Sequence, residues 1–137
     1  MGVLPSGLAE VISDDEDLAR FLTSSSQFNA HMAKPASFLP NPQDRETSIF
    51  RHGNNPLDRL RAIGVEHVAG QRNLHGAAIF KARHVRAAQL DVTAAEPPPR
   101  HAAIRNWPWL ENDPELQRAK QKEMAAVISS KAELVRL

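Results

Sequence analysis

Three times in this chain an arginine stands directly before a histidine: Arg51-His52, Arg83-His84 and Arg100-His101. An imidazole exchanges protons near neutral pH, and a guanidinium grips phosphate. Together they are the parts of a metal-independent cleavage of RNA. That reaction needs one group to activate a 2′-hydroxyl, a second to protonate the leaving oxygen and a cation on the phosphate. Two of the three pairs brought together would supply all of them. On a strand, however, neighbouring side chains point to opposite faces, so Arg51 with His52, or Arg100 with His101, cannot enter one site as a pair. The plainer origin of the repeat is a basic surface in which the two residue types recur by composition.

The second unusual stretch is Pro97 to Trp109, PPPRHAAIRNWPW. Trp107-Pro108-Trp109 offers two aromatic surfaces with a proline between them, flanked by Arg100 and Arg105. Tryptophan and arginine dominate the centres of protein interfaces, and the same pair stacks on and neutralises single-stranded nucleic acid. A small core short of aromatics also claims its tryptophans, and the composition expects Trp107 inside. The residues singled out for binding are Arg51, His52, Arg100, His101, Arg105 and Trp109; none is assigned a catalytic role.

Other chemistries find little support. The six histidines make no H-x-x-x-H or H-E-x-x-H pair, and there is no cysteine, so no metal site is expected. No G-x-S-x-G, P-loop or G-x-G-x-x-G occurs, and no cofactor is expected. Asp14 to Asp17 read as the acidic first turn of a helix.

Charge is balanced overall, with 17 basic and 16 acidic residues, but unevenly spread. Residues 1–45 hold six acids against three bases, residues 46–110 nine bases against five acids, and five of the six histidines fall in that middle part. The middle segment therefore offers a face to an anionic partner such as nucleic acid, unless the acidic segment of the same fold neutralises it. No apolar run approaches the roughly 20 residues that span a bilayer. The expectation is a cytoplasmic protein without a membrane partner.

The elements that would position these residues follow from periodicity and turn chemistry. Ser13 and Glu16 have the spacing of a capping box, and Leu18, Phe21 and Leu22 then fall on one face of an N-terminal helix. Residues 27–45 carry Pro35, Pro40 and Pro42 but also Phe28, Met32, Phe38 and Leu39, which predicts an extended arm pinned by its apolar side chains. Thr47 to Arg51 is β-prone. Gly53-Asn54-Asn55-Pro56 is a turn into a helix capped by Asn55, with Leu57, Leu60, Gly64 and Val68 on one face and Gly70 at its end. Gly64 within that face implies close approach of another backbone.

His75 to Phe80 and Leu90 to Thr93 read as strands with a helical turn between them. Pro97 to Pro99 implies an extended polyproline segment leading into a strand from His101 to Ile104. Asp113 and Pro114 open a helix predicted to run to about Val135, with Met124, Val127, Ile128, Leu134 and Val135 as its apolar stripe. The sum is an α+β fold in one domain of residues 1–137. A small, mainly antiparallel sheet is packed by a long C-terminal helix, with an N-terminal helix and extended arm, a flexible start over 1–12 and a core over 46–137.

Two resemblances bear on function. Thr47-Ser48-Ile49-Phe50-Arg51-His52-Gly53 resembles the first nicotinamide-binding strand of ADP-ribosyltransferases, which implies a later glutamate such as Glu111 or Glu115. Over residues 18–137, the order of segments is similar to a family of small uncharacterised bacterial and mobile-element proteins. Those segments are Phe21 to Phe28, Lys34-Pro35 with Phe38-Leu39-Pro40, Ser48 to Arg51, Leu74 to Ala77, Pro98-Pro99-Arg100-His101 with Ile104 and Trp107-Pro108, and the lysine-rich end. That resemblance carries no activity.

The reading that results is a non-enzymatic interaction protein, an accessory or inhibitory subunit of a bacterial or phage assembly whose partner is another protein. Its alternatives are a small nucleic-acid-acting enzyme using Arg and His, and an ADP-ribosyltransferase-like protein.

Overall fold

A computed structural model describes residues 2–53 and 55–137. The backbone is a six-stranded sheet of β1 (Asp17–Leu22), β2 (Thr47–Arg51), β3 (Gly76–Lys81), β4 (Asp91–Ala94), β5 (His101–Arg105) and β6 (Glu133–Arg136), in the order β4-β5-β2-β1-β3-β6 with every neighbouring pair antiparallel. The α+β class, the antiparallel sheet and the long C-terminal helix are as the sequence predicts.

The first correction falls in the middle of that sheet. Asp17–Leu22, expected in a helix, is strand β1, and Ser13 to Glu16 is a turn closed by the Glu16 N–H on the Ser13 carbonyl. Leu18 and Leu22 enter one core cluster while Ala19 and Phe21 enter another on the opposite face. A central strand buried on both sides is apolar throughout, so its run also satisfies a helical spacing. Burial on two faces decided the outcome.

Strand β2, Thr47–Arg51, is where it was expected. Asn54 of the predicted turn lies outside the described residues. Helix α1 covers Leu57–Gly64, one residue later than predicted and with Pro56 at the cap, and it runs on into a wider turn over Val65–Ala69. Gly70 ends it at φ 58°, as the pattern required. Leu60 and Ile63 pack this helix on Phe21 and Phe50. At Gly64 the close neighbour is a side chain and not a backbone: an added Cβ would lie 2.8 Å from the Phe21 ring and 2.9 Å from Leu74.

Strand β3 (Gly76–Lys81), helix α2 (Ala82–Ala87), strand β4 (Asp91–Ala94) and strand β5 (His101–Arg105) follow the predicted order. The prolines between β4 and β5 do not run as an extended polyproline segment. The Glu96–Pro97 and Pro97–Pro98 peptides are cis, Arg100 sits at φ 71°, and the His101 N–H returns to the Pro98 carbonyl at 3.1 Å. The chain turns back there and pairs the two strands.

Helix α3, Pro114–Lys131, starts as predicted, with Asp113 accepting from the Leu116 N–H at 3.1 Å. It stops four residues early. Glu133–Arg136 is strand β6 on the outer edge of β3, so Leu134 and Val135 belong to the sheet and not to the helix stripe. Ile128 is the fully buried member of that stripe, whereas Val127 is 38% exposed. β-branched and leucine side chains suit either element, and pairing with β3 settled the choice.

The segment from Gln27 to Arg45 is folded over the sheet through short 3-10 turns. Phe38 is fully buried edge-on to Phe80 at 5.5 Å, and Ser129 of α3 donates to the Ala33 carbonyl at 2.6 Å. The apolar pinning predicted for this arm is present, in a tighter path than an extended one. Residues 2–12 also carry contacts: Val3 bridges Ala9, and Ile12 is buried.

Candidate functional site

The Arg/Trp edge is occupied from within. The Arg51 side chain is 2% exposed, forks onto the Glu16 carboxylate and donates Nη1 to the Ala9 carbonyl at 2.6 Å. Arg100 donates Nη1 to the Arg51 carbonyl at 3.1 Å. His101 holds Nδ1 at 2.8 Å from the Ala95 carbonyl, which only accepts, so its Nε2 is the acceptor for the Ser48 hydroxyl at 2.7 Å. Both nitrogens are committed, and the ring edge rests on Phe50 at 5.3 Å. Arg105 pairs with Glu46 at 2.7 Å. Trp107 is buried, as expected, with its Nε1 lacking a partner. Half-buried Trp109 lies under the Arg45 guanidinium at 4.7 Å, and Arg45 pairs with Glu111 at 3.0 Å.

Of the six residues named for binding, two reach beyond this edge: Arg100 lines a pocket with Arg59 and Glu66, and His52 enters a different setting again. Its side chain lies across the strand end from Arg51, as alternation requires, and lines a cleft of about 400 Å³ that also receives His84. The cleft gathers the ends of the elements. Asp17 begins β1, His52 follows β2, Lys81 ends β3, His84 lies in the first turn of α2, Lys131 ends α3 and Glu133 begins β6. Leu57 and Ile79 supply apolar wall. Antiparallel pairing brings these ends together, although residues 17 and 133 are at opposite extremes of the chain.

The two imidazoles are held differently. The Lys81 backbone N–H donates to His84 Nδ1 at 3.3 Å, so the neutral ring carries its proton on Nε2. Among the described residues His52 Nδ1 is enclosed without a hydrogen-bond partner, which leaves Nε2 as the nitrogen to meet a ligand. Burial lowers the pKa of His52; Asp17 opposes this and Arg100 reinforces it. Burial also lowers that of His84, helped by Arg83, Lys131 and Lys81. Both rings are therefore biased toward the neutral form at pH 7.

Lys81 is tied to Asp17 at 3.1 Å. Among the described residues Lys131 has no ion pair, and Arg83, the partner in the Arg83-His84 repeat, is turned away to Asp15 at 3.1 Å. The cation beside the imidazoles is thus an ammonium and not a guanidinium. Among the described residues no three His, Cys, Asp or Glu side chains gather as a metal site, and no helix is long and apolar enough to cross a membrane.

His84 was visible in the sequence as one of three Arg-His pairs. Lys81, Lys131, Asp17 and Glu133 were not, because each enters only through a strand or helix end whose place depends on β1 and β6. Compared with protein-family models, curated proteins and solved structures, the chain matches none.

Proposed function

We propose that the cleft between His52 and His84 is the active site of a small enzyme that cleaves single-stranded RNA by transfer of the phosphate to the neighbouring 2′-oxygen. The observation that carries this reading is the convergence of two of the three Arg-His pairs, through their histidines, on one open cleft beside the Lys131 ammonium, which has no ion pair among the described residues.

His52 Nε2 takes the proton of the 2′-hydroxyl, and the freed 2′-oxygen attacks phosphorus. His84 Nε2–H donates to a non-bridging oxygen, where negative charge grows. The bond to the 5′-oxygen breaks, and that oxygen leaves with a proton from the Lys131 ammonium. The products are a 2′,3′-cyclic phosphate and a free 5′-hydroxyl. The proton on His52 and the vacancy on Lys131 are then exchanged with water. A partly buried imidazole that is neutral at pH 7 suits the base, since the lone pair is available without prior deprotonation.

The test is a product analysis. Purified protein incubated with an RNA oligonucleotide should yield cyclic phosphate ends, and DNA of the same sequence should stay intact because it lacks the attacking hydroxyl. Intact RNA under the same conditions would overturn the reading.

A second reading, an accessory subunit that binds another protein, is favoured by a different feature. A groove of about 350 Å³ runs between Pro108 and the Met124 and Val127 side of α3, and Val127 is 38% exposed beside it. Its signature would be a stoichiometric protein partner lost in Val127→Glu and retained in His52→Ala.

A further inference from the structure

A second pocket, of about 380 Å³, shares helix α1 with the cleft. The link is the segment that follows β2. Arg100, which lines the second pocket, is bonded to the Arg51 carbonyl, and a Cβ on Gly53 would come within 2.9 Å of its Nη1. Arg100 also acts on the His52 imidazole across that segment. At the start of α1 the same division repeats: Leu57 faces the cleft and Arg59 faces the second pocket.

Inside this pocket two guanidiniums, Arg59 and Arg100, stand against the Glu66 carboxylate, while a second carboxylate behind the wall, Glu96, is engaged by the Ser6 hydroxyl and the Arg100 backbone N–H. Among the described residues neither guanidinium forms an ion pair, unlike Arg45, Arg51, Arg83, Arg86 and Arg105. Arg100 is fixed in place by its bond to a carbonyl, with donors to spare. His67 completes the wall, its ring stacked on Phe50 at 5.9 Å with 17° between the planes. Forked donors, one of them preorganised, suit the oxygens of a phosphate.

We propose that this pocket holds a second phosphate of the same RNA strand, so that the chain is gripped both there and in the cleft. The identity of the strand as RNA rests on the activity proposed above; the phosphate contact does not. One phosphate in each pocket makes the enzyme prefer oligonucleotides to dinucleotides.

The experiment uses single-stranded DNA, which binds without being cleaved. Affinity of a short fluorescein-labelled oligodeoxyuridine is measured by anisotropy across a salt series. For single strands each neutralised phosphate contributes about 0.7 to the slope of log affinity against log salt. Arg59→Ala, on an exposed helix position, should reduce the slope by about that amount, and Lys131→Ala should do so independently. An unchanged slope in Arg59→Ala overturns the second phosphate site. RNA cleavage with an unchanged Arg59→Ala slope would remove this inference alone. A reduced slope without RNA cleavage would remove the enzymatic reading alone.

Discussion

Strand β2 begins in one charged region and ends in another, and the two are built on different terms. Around Thr47 the cations are matched: Arg105 pairs with Glu46, and Arg45 pairs with Glu111 while covering Trp109. Beyond Arg51, two imidazoles of lowered basicity share a cleft with Lys131, which has no ion pair among the described residues, and Arg59 and Arg100 line a second pocket. The first region has the residue types of a binding edge. The second has side chains whose capacity the fold leaves unused. Residue type alone points to the former; pairing points to the latter.

Arg51 belongs by sequence with His52 but by geometry with the core, where it satisfies Glu16 and the Ala9 carbonyl. Removing one partner of such a buried pair strands the other, so Arg51→Ala should lose about 3–5 kcal/mol of stability in urea unfolding. A loss under about 1 kcal/mol would show that the pair is solvated like a surface one.

Gly64→Ala is the next largest effect. Its added methyl meets the Phe21 ring and Leu74, which are themselves packed, and overfilling of this kind costs about 1–3 kcal/mol. Thermal denaturation would reveal it, and an unchanged melting temperature would show that the ring can move aside.

The pH response separates the regions again. His52 and His84 have folded-state pKa values below the ordinary 6.5, so between those values and 6.5 the unfolded chain binds more protons. Stability should therefore rise with pH through that window and be lost on acidification. His52 feels Asp17 and Arg100, and His84 feels Arg83, Lys131 and Lys81. The rate of RNA cleavage should fall over the same acidic range as His52 gains a proton. A limb centred above 6.5 would mean that Asp17 outweighs burial. His52→Ala and His84→Ala together should flatten the stability profile in that range.

The smallest effect belongs to the matched edge. Arg45 and its partner Glu111 are half or more exposed, at 53% and 74%, and exposed pairs contribute about 0–1 kcal/mol. Arg45→Ala should leave both unfolding and RNA cleavage nearly unchanged. A large loss of cleavage would move the active region to the tryptophan edge.

Much of the framework was legible in the sequence because its signals are local. Asp113-Pro114 caps and starts α3, Gly70 ends the turn after α1, and Thr47 to Arg51 has the composition of a strand. Two strands were not legible, each because tertiary packing overrode a local pattern. Leu18, Phe21 and Leu22 satisfy a helical spacing because β1 is buried on both faces, and Leu134 and Val135 continue a helix pattern although pairing with β3 claims them. Those two strands supply Asp17 and Glu133 to the cleft, so the site could not be assembled from sequence even though two of its histidines were in view. The pairing of Arg51 with Glu16 was equally hidden, since it joins residues brought together by the sheet.

The most direct measurement compares two histidines that the sequence treats alike. Single-turnover cleavage of an RNA oligonucleotide is followed in His52→Ala and in His101→Ala, each checked to be folded. Loss of a positioned base lowers the rate about 10²–10⁴-fold, and this is expected of His52→Ala. His101, with both nitrogens engaged by Ser48 and Ala95, should leave the rate of the folded protein close to that of the wild type. Retained cleavage in His52→Ala together with its loss in His101→Ala would place the chemistry at the proline-bounded edge and contradict the cleft.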